Sequence, residues 1–190
     1  MKLIGLSGTN GAGKDSVAEI LRDKHSYLFV SVSDLLRDEA KSRGLDTERT
    51  HLRTISAEWR REHGLGVLVK KAIELYDTKN TDDRYRGLVV SSIRNPGEVD
   101  ELHKHGGKVI WVDADARVRY DRIHSRGRED DKKSFEQFKE EERAEMQHSG
   151  DSATLSMMDV KEETDDIIIN NSSNFDDLDE VVRYTLGTNL

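Results

Sequence analysis

The chain has 190 residues, with 30 basic and 38 acidic side chains and a net charge of −8. That length suits one domain, and an acidic balance argues against general nucleic-acid or anionic-membrane binding. Cysteine is absent, which excludes disulfides, thiolate metal sites and cysteine nucleophiles together. The apolar run after Lys2 stops within a few residues, and no stretch nears the roughly 18 apolar residues of a membrane span, so a reduced cytoplasmic location is expected.

Lys2 to Leu6 predicts a short strand. Ser7-Gly8-Thr9-Asn10-Gly11-Ala12-Gly13 follows, then Val17, Ala18, Ile20 and Leu21 at helical spacing. This is strand, glycine loop, helix. Tyr27 to Val32 predicts a second strand. Leu35, Leu36 and Ala40 mark a helix ending near Gly44, with Asp34 expected as its cap. Two more helices are expected from Thr47 to His63 and from Val67 to about Thr78. Leu88 to Ser92 predicts a third strand. The only proline, Pro96, follows Asn95 and precedes Glu98, the pattern of an N-cap, a first helical position and a capping box. Gly106-Gly107 ends that helix. Lys108 to Val112 predicts a strand, and Ala116 to Ser125 a helix capped by Asp115. Ser134 and Gln137 form a capping box for a polar helix reaching about Gln147. Ile167-Ile168-Ile169 predicts a strand buried on both faces. Asn174 starts a final helix through Leu178, Val181 and Val182.

Strands alternating with helices predict an α/β fold of three layers, a five-stranded parallel sheet with helices on both faces, in a single domain over residues 1–190. The segment from Arg126 to about Gly150 is nearly all polar and is expected to be a lid or surface excursion.

Gly8-x4-Gly13-Lys14, between a strand and a helix, has Walker A spacing. Glycines let successive backbone N–H groups turn inward toward phosphate oxygens. The helix adds its positive N-terminal end, and Lys14 adds a point charge near the β- and γ-phosphates. Two glycines and a lysine at this spacing arise by chance at on the order of 3 × 10⁻⁴ per position, so the flanking strand and helix carry much of the specificity. Gly8, Thr9, Asn10, Gly11, Ala12, Gly13, Lys14, Asp15 and Ser16 form the expected nucleotide-binding loop, implying ATP and Mg²⁺. The motif normally ends in a Ser or Thr that binds Mg²⁺; here Asp15 stands there, with Ser16 next.

These motifs, with Ser33-Asp34-Leu35-Leu36-Arg37, Ile93-Arg94, and Val112-Asp113 followed by Arg122-Ile123-x-x-Arg126, resemble the nucleoside monophosphate kinase and dephospho-CoA kinase group of P-loop proteins. The likeness covers nearly the whole chain in order. A Gly-Lys-Asp ending also occurs in phage-type deoxynucleoside monophosphate kinases and animal-type phosphomevalonate kinases. The resemblance implies transfer of the γ-phosphate of ATP to a small phosphorylated acceptor, most simply a (deoxy)nucleoside monophosphate. It implies an acceptor-binding helical region over about 33–80, with Asp34, Arg37, Arg53, Trp59 and Arg94 on the acceptor side. Arg60 and Tyr76 are further candidates for the lining, while Glu58 and His63 read equally well as surface groups. Such kinases usually carry an acid near the end of the third strand. Here Ser91-Ser92 ends it, so Asp15 is expected to supply the missing carboxylate to Mg²⁺, directly or through a water; the alternative is that Asp15 caps the helix, with Ser16 or water at the metal.

A kinase acting on a phosphorylated acceptor must bring two polyanions together, and guanidinium groups offset their repulsion. Five arginines lie between positions 117 and 128, and Arg119, Arg122 and Arg126 share one helical face leading into the polar segment. That arrangement suits a phosphate-closing lid, with Lys14, Arg94, Arg122 and Arg126 as the catalytic cations. The alternative is a solvated face paired with Asp121, Glu129 and Asp130. Asn170 and Asn171 lie either near the base or in a plain turn. Two other functions stay open: dephospho-CoA kinase, and a nucleotide-dependent switch or ATPase without a small acceptor. Oligomeric state is not legible.

Overall fold

The computed structural model describes residues 1–127, 133–147, 150–172 and 174–187. Its central strand β1 (Lys2–Ser7) sends Leu3 to one core and Ile4 and Leu6 to the other. That is the two-residue period of a strand covered on both sides. β3 (Gly87–Ser91) does the same, with Leu88 and Val90 against Val89, and so does β4 (Lys108–Asp113), with Val109 and Trp111 against Ile110 and Val112. With β2 (Tyr27–Ser31) and β5 (Asp166–Ile169) they form an all-parallel sheet of order β2-β3-β1-β4-β5.

One face is covered by α1 (Lys14–His25) and α9 (Phe175–Leu186), through Val17, Ala18, Ile20, Leu21, Leu178 and Val182. The other is covered by α2 (Val32–Ser42), α3 (Arg49–His63), α4 (Val67–Lys79), α5 (Pro96–Lys104) and the short α8 (Met157–Glu162). Then α6 (Ala116–Arg126) and α7 (Phe135–Met146) pack on each other through Tyr120, Phe135 and Phe138, ring centroids 5.4 to 6.3 Å apart. The expected three-layer α/β fold is therefore present.

Several local expectations change. The second strand stops at Ser31, because Val32 already begins α2. Ser31, not Asp34, caps that helix by accepting the Asp34 N–H. β5 is an edge strand, so only Ile168 is buried; Ile167 and Ile169 are each 55% exposed. Its one buried residue, Ile168, packs in the core beneath α9 with Leu178 and Val182. The polar excursion contains a real core residue, Phe138, and residues 128–132 and 148–149 of the expected lid lie outside the described residues. Helix α8 was not expected, although Met157 and Val160 are spaced for it.

The capping boxes at Asn95/Glu98 and Ser134/Gln137 are present, and Asp115 caps α6. Glu98 does more than cap. One of its oxygens accepts from Arg94 N–H at 2.8 Å and Asn95 N–H at 3.2 Å. The other takes Arg60 Nη2 at 2.7 Å and Nε at 3.2 Å, and both side chains are buried. This node ties α3 to the turn after β3. Removing one partner of a buried pair leaves a charge without compensation. Glu98→Ala is expected to cost about 3–5 kcal/mol in urea unfolding, with Glu98→Gln milder because it keeps an acceptor. A loss for Glu98→Ala near that of an ordinary surface change, under about 0.5 kcal/mol, would contradict this.

Candidate active site

The loop between β1 and α1 lies at the carboxyl edge of the sheet, where β1 is flanked by β3 and β4. Open α/β sheets bind ligands at such a switch point. Gly8 has φ 136°, and a Cβ there would fall 2.0 Å from the Val112 carbonyl oxygen. Gly13, at φ 92°, has room for no Cβ either, because Asn170 Nδ2 would lie 2.2 Å from it. Both glycines are dictated by close approach as well as by backbone conformation. Asn170 is buried, donates to the Ala12 carbonyl at 3.0 Å, and so braces the loop from beyond β5. Asn170 is thus part of the loop's support and also lines the cleft, while Asn171 accepts from Asp115 N–H at 2.7 Å.

Lys14 folds back over the loop, donating to the carbonyls of Gly8 and Thr9 at 2.8 Å each. Burial, then the charge of Arg94, pushes its pKa down to about 7. Asp15 is on the first turn of α1, one residue after Lys14, and the N-cap position is Gly13. The Asp15 Oδ1 accepts from Ser91 Oγ at 2.8 Å, at the end of β3. Ser92 follows with φ 74°, a left-handed turn, and Leu6 carbonyl takes the N–H groups of both Ser92 and Ile93. The turn brings Arg94 to the cleft. Its backbone is held on both sides, by Glu98 and by Ser156 N–H at 2.9 Å.

A cleft of about 960 Å³ runs from this loop to α2 and α3. Asn10, Gly11, Gly13, Lys14, Asp15 and Ser16 line one part of it, and Arg37, Arg53, Arg60 and Arg94 another. Arg122 and Arg126 close a third side beside Asn170 and Ser172. Arg122 donates to the carbonyls of Asn170 at 3.0 Å and Ser172 at 2.7 Å. Asp34 is in the lining, paired with Arg37 at 2.6 Å. The remaining loop residues sit elsewhere: Gly8 against β4, Ala12 buried beneath the loop, and Thr9 on a neighbouring cavity of about 310 Å³.

Three expected residues do not come together there. Trp59 packs against the core, with Lys71 Nζ 4.5 Å from its ring. The α3 face toward the cleft is instead Arg53, Ser56, Ala57 and Arg60. Tyr76 is buried, donating to the Tyr85 carbonyl at 3.1 Å. Arg119, expected on the lid face, is buried against the Ala114 carbonyl and paired with Glu142 on α7. Glu145, also on α7, was not foreseen: it pairs with Arg94 and lies 3.7 Å from Arg53. Its position in a polar run gave no sequence signal.

A family model described as AAA domain matches residues 4–147. A UPF0200 protein of Pyrobaculum aerophilum is 30% identical over 98% of this chain and 97% of its own length. A UPF0200 protein of Methanocaldococcus jannaschii is 31% identical over 98% and 92%. The chain is a UPF0200 protein with an AAA domain. Among solved structures, a shikimate kinase from Bacteroides thetaiotaomicron superposes with a TM-score of 0.59 at 11% identity, covering 96% of this chain and 97% of that one. A shikimate kinase from Acinetobacter baumannii, solved with shikimate, gives 0.58 at 16% identity, with 100% and 96% covered. At such identities the likeness speaks for the fold, which is that of the small P-loop kinases. Among the described residues no helix is long and apolar enough to cross a membrane, and no cluster of three or more His, Cys, Asp or Glu could hold a metal.

The Lys14 ammonium gives a pH-dependent test of the loop. A bound polyphosphate favours the charged form, so it raises this pKa from about 7. At pH 8 binding must therefore take up protons, and affinity must fall as pH rises through 7. Calorimetric titration with ADP in buffers of different ionisation enthalpy should show that uptake in the wild type and none in Lys14→Met. Equal uptake in both would refute the assignment.

Proposed function

We propose that this UPF0200 protein is an ATP-dependent phosphotransferase that moves the γ-phosphate to a small phosphorylated acceptor, a nucleoside or deoxynucleoside monophosphate in the first instance. One observation carries the reading: a single cleft holds the phosphate loop between two sets of arginines, Arg122 and Arg126 on one side and Arg37, Arg53 and Arg94 on the other. Small-molecule sites run to roughly 300–1,000 Å³. At about 960 Å³ this cleft has room for a nucleotide and a second small molecule.

Lys14 lies under the β- and γ-phosphates, and Arg122 and Arg126 reach the phosphates from the lid side. Arg94, with Arg37 and Arg53, takes the acceptor's phosphate. Asp34 holds Arg37 in place and does not itself touch the acceptor. In the reaction the bond from the γ-phosphorus to its bridging oxygen breaks, and one forms to an acceptor phosphate oxygen. That oxygen is already ionised, so no nucleophilic side chain is required. The chain's contribution is to align the groups and offset their charge.

Mg²⁺ fits the donors present. It prefers hard oxygens and needs only one or two carboxylates. Asp15 provides a carboxylate at the motif position, and Ser91 Oγ orients it from β3. When bound, the ion would offset negative charge on the transferring phosphate. Asp15 and Ser91 together thus supply what an acid at the end of β3 supplies in the resembled kinases, and Ser16 offers a hydroxyl beside them.

Two measurements test this. ADP release should be stimulated by at least one acceptor among AMP, dAMP, dGMP, CMP, dTMP and dephospho-CoA, with dephospho-CoA alone pointing to the alternative acceptor. No stimulation by any, together with ATP hydrolysis, would favour a switch without an acceptor. Separately, Asp15→Ala should raise the Mg²⁺ needed for half-maximal rate by about tenfold, the low end for disturbed metal sites. An unchanged Mg²⁺ requirement would remove Asp15 from the metal.

A further inference from the structure

The acceptor-side arginines already hold an anion, and it belongs to the protein. Glu145 lies near the end of α7, and its side chain is only 17% exposed. Its Oε1 meets Arg94 Nη1, and Arg53 Nη2 is 3.7 Å away. Burial would raise its pKa, but Arg94 first, then Arg53 and Arg49, hold it below the usual carboxylate range. The same carboxylate contributes a favourable charge to Lys14.

We propose that Glu145 is an internal stand-in for the acceptor's anionic group, seated between Arg94 and Arg53, and that an acceptor must evict it to bind. The proposal rests on the acceptor role given to Arg94 and Arg53 above.

Three further observations support the assignment. The arginine that forms the seat is rigid at its backbone, held by Glu98 and Ser156. The carboxylate comes from a separate element, α7, so one can leave while the other stays. Glu145 also lines both the large cleft and the 310 Å³ cavity behind it, so it is part of the wall between the two. The second cavity is lined by Phe138, Met146 and Lys133, the last already paired with Glu141. The competing role, a base that takes a proton from an acceptor hydroxyl, fits poorly. Two guanidinium groups face the one oxygen Oε1, and a group so stabilised as an anion is a weak base.

Eviction has a thermodynamic signature. A seat filled by its own carboxylate four-fifths of the time weakens the apparent affinity for an external anion about fivefold. Removing the carboxylate therefore tightens anion binding, the opposite of what losing an ordinary contact residue does.

The test uses the full chain with its phosphate loop saturated by a non-hydrolysable ATP analogue, which fills the γ-phosphate position, so that inorganic phosphate, the probe, reports on the acceptor side alone. Wild type, Glu145→Gln, Glu145→Asp and Arg94→Gln are titrated calorimetrically. Glu145→Gln is expected to bind phosphate at least fivefold tighter than wild type. Glu145→Asp, one methylene shorter, should also gain. Arg94→Gln should lose binding tenfold or more. Equal or weaker phosphate binding in both Glu145 variants would overturn the proposal, as would a Glu145→Gln that binds phosphate like wild type but loses turnover, the mark of a base. The saturating analogue titration is read independently. If the analogue fails to bind, the nucleotide reading falls, while phosphate binding that needs Arg94 and tightens in Glu145→Gln still decides the role of Glu145.

Discussion

Cations cannot be gathered in a partly enclosed cleft without something to balance them, and this requirement organises the molecule. An acidic chain of net charge −8 collects arginines around one loop, and nearly every one is met by a partner from its own structure. Asp34 meets Arg37, Glu98 meets Arg60, Glu145 meets Arg94, and Glu142 with Asp113 meets Arg119. Arg122 and Lys14 are held by backbone carbonyls instead. The partners fall into two kinds. Glu98 is fully enclosed and fixes geometry, as buried pairs do at some cost in desolvation. Asp34 and Glu145 border the cleft, each paired with an arginine that lines it.

The sheet, the loop and most helix boundaries were legible in the sequence because they rest on local rules. Period-two apolar runs, a glycine loop before a helix and two capping boxes are written within a few residues each. What was not legible depends on neighbours distant in sequence. The triple-isoleucine strand looks doubly buried until the strand order puts it at the edge. Asp34 looks like a cap until the second strand proves one residue shorter, which hands the cap to Ser31. Trp59 looks like a binding residue because it is large and aromatic, yet the rotation of α3 turns it toward Lys71.

The site divides the same way. Gly13, Lys14, Asp15, Arg94, Arg122 and Arg126 line the cleft as their motifs suggest. Glu145 could not be chosen beforehand, because it sits in a run of charged residues, and Asn170 could be named but not given a role, because it sits in a turn of asparagines. The exchange of acid and hydroxyl between Asp15 and Ser91 was visible as a departure at two positions 76 residues apart, and the 2.8 Å bond joins them. A carboxylate moved from strand to helix keeps its partner across the same gap.

The brace that Asn170 gives to Ala12 spans 158 residues of sequence. Contacts of such separation form late, since the entropy of closing the intervening loop must be met first. The phosphate loop precedes its support, which arrives only after β5. During translation the motif is therefore present long before it is held in shape. The loop's shape depends on a partner made much later than the loop itself.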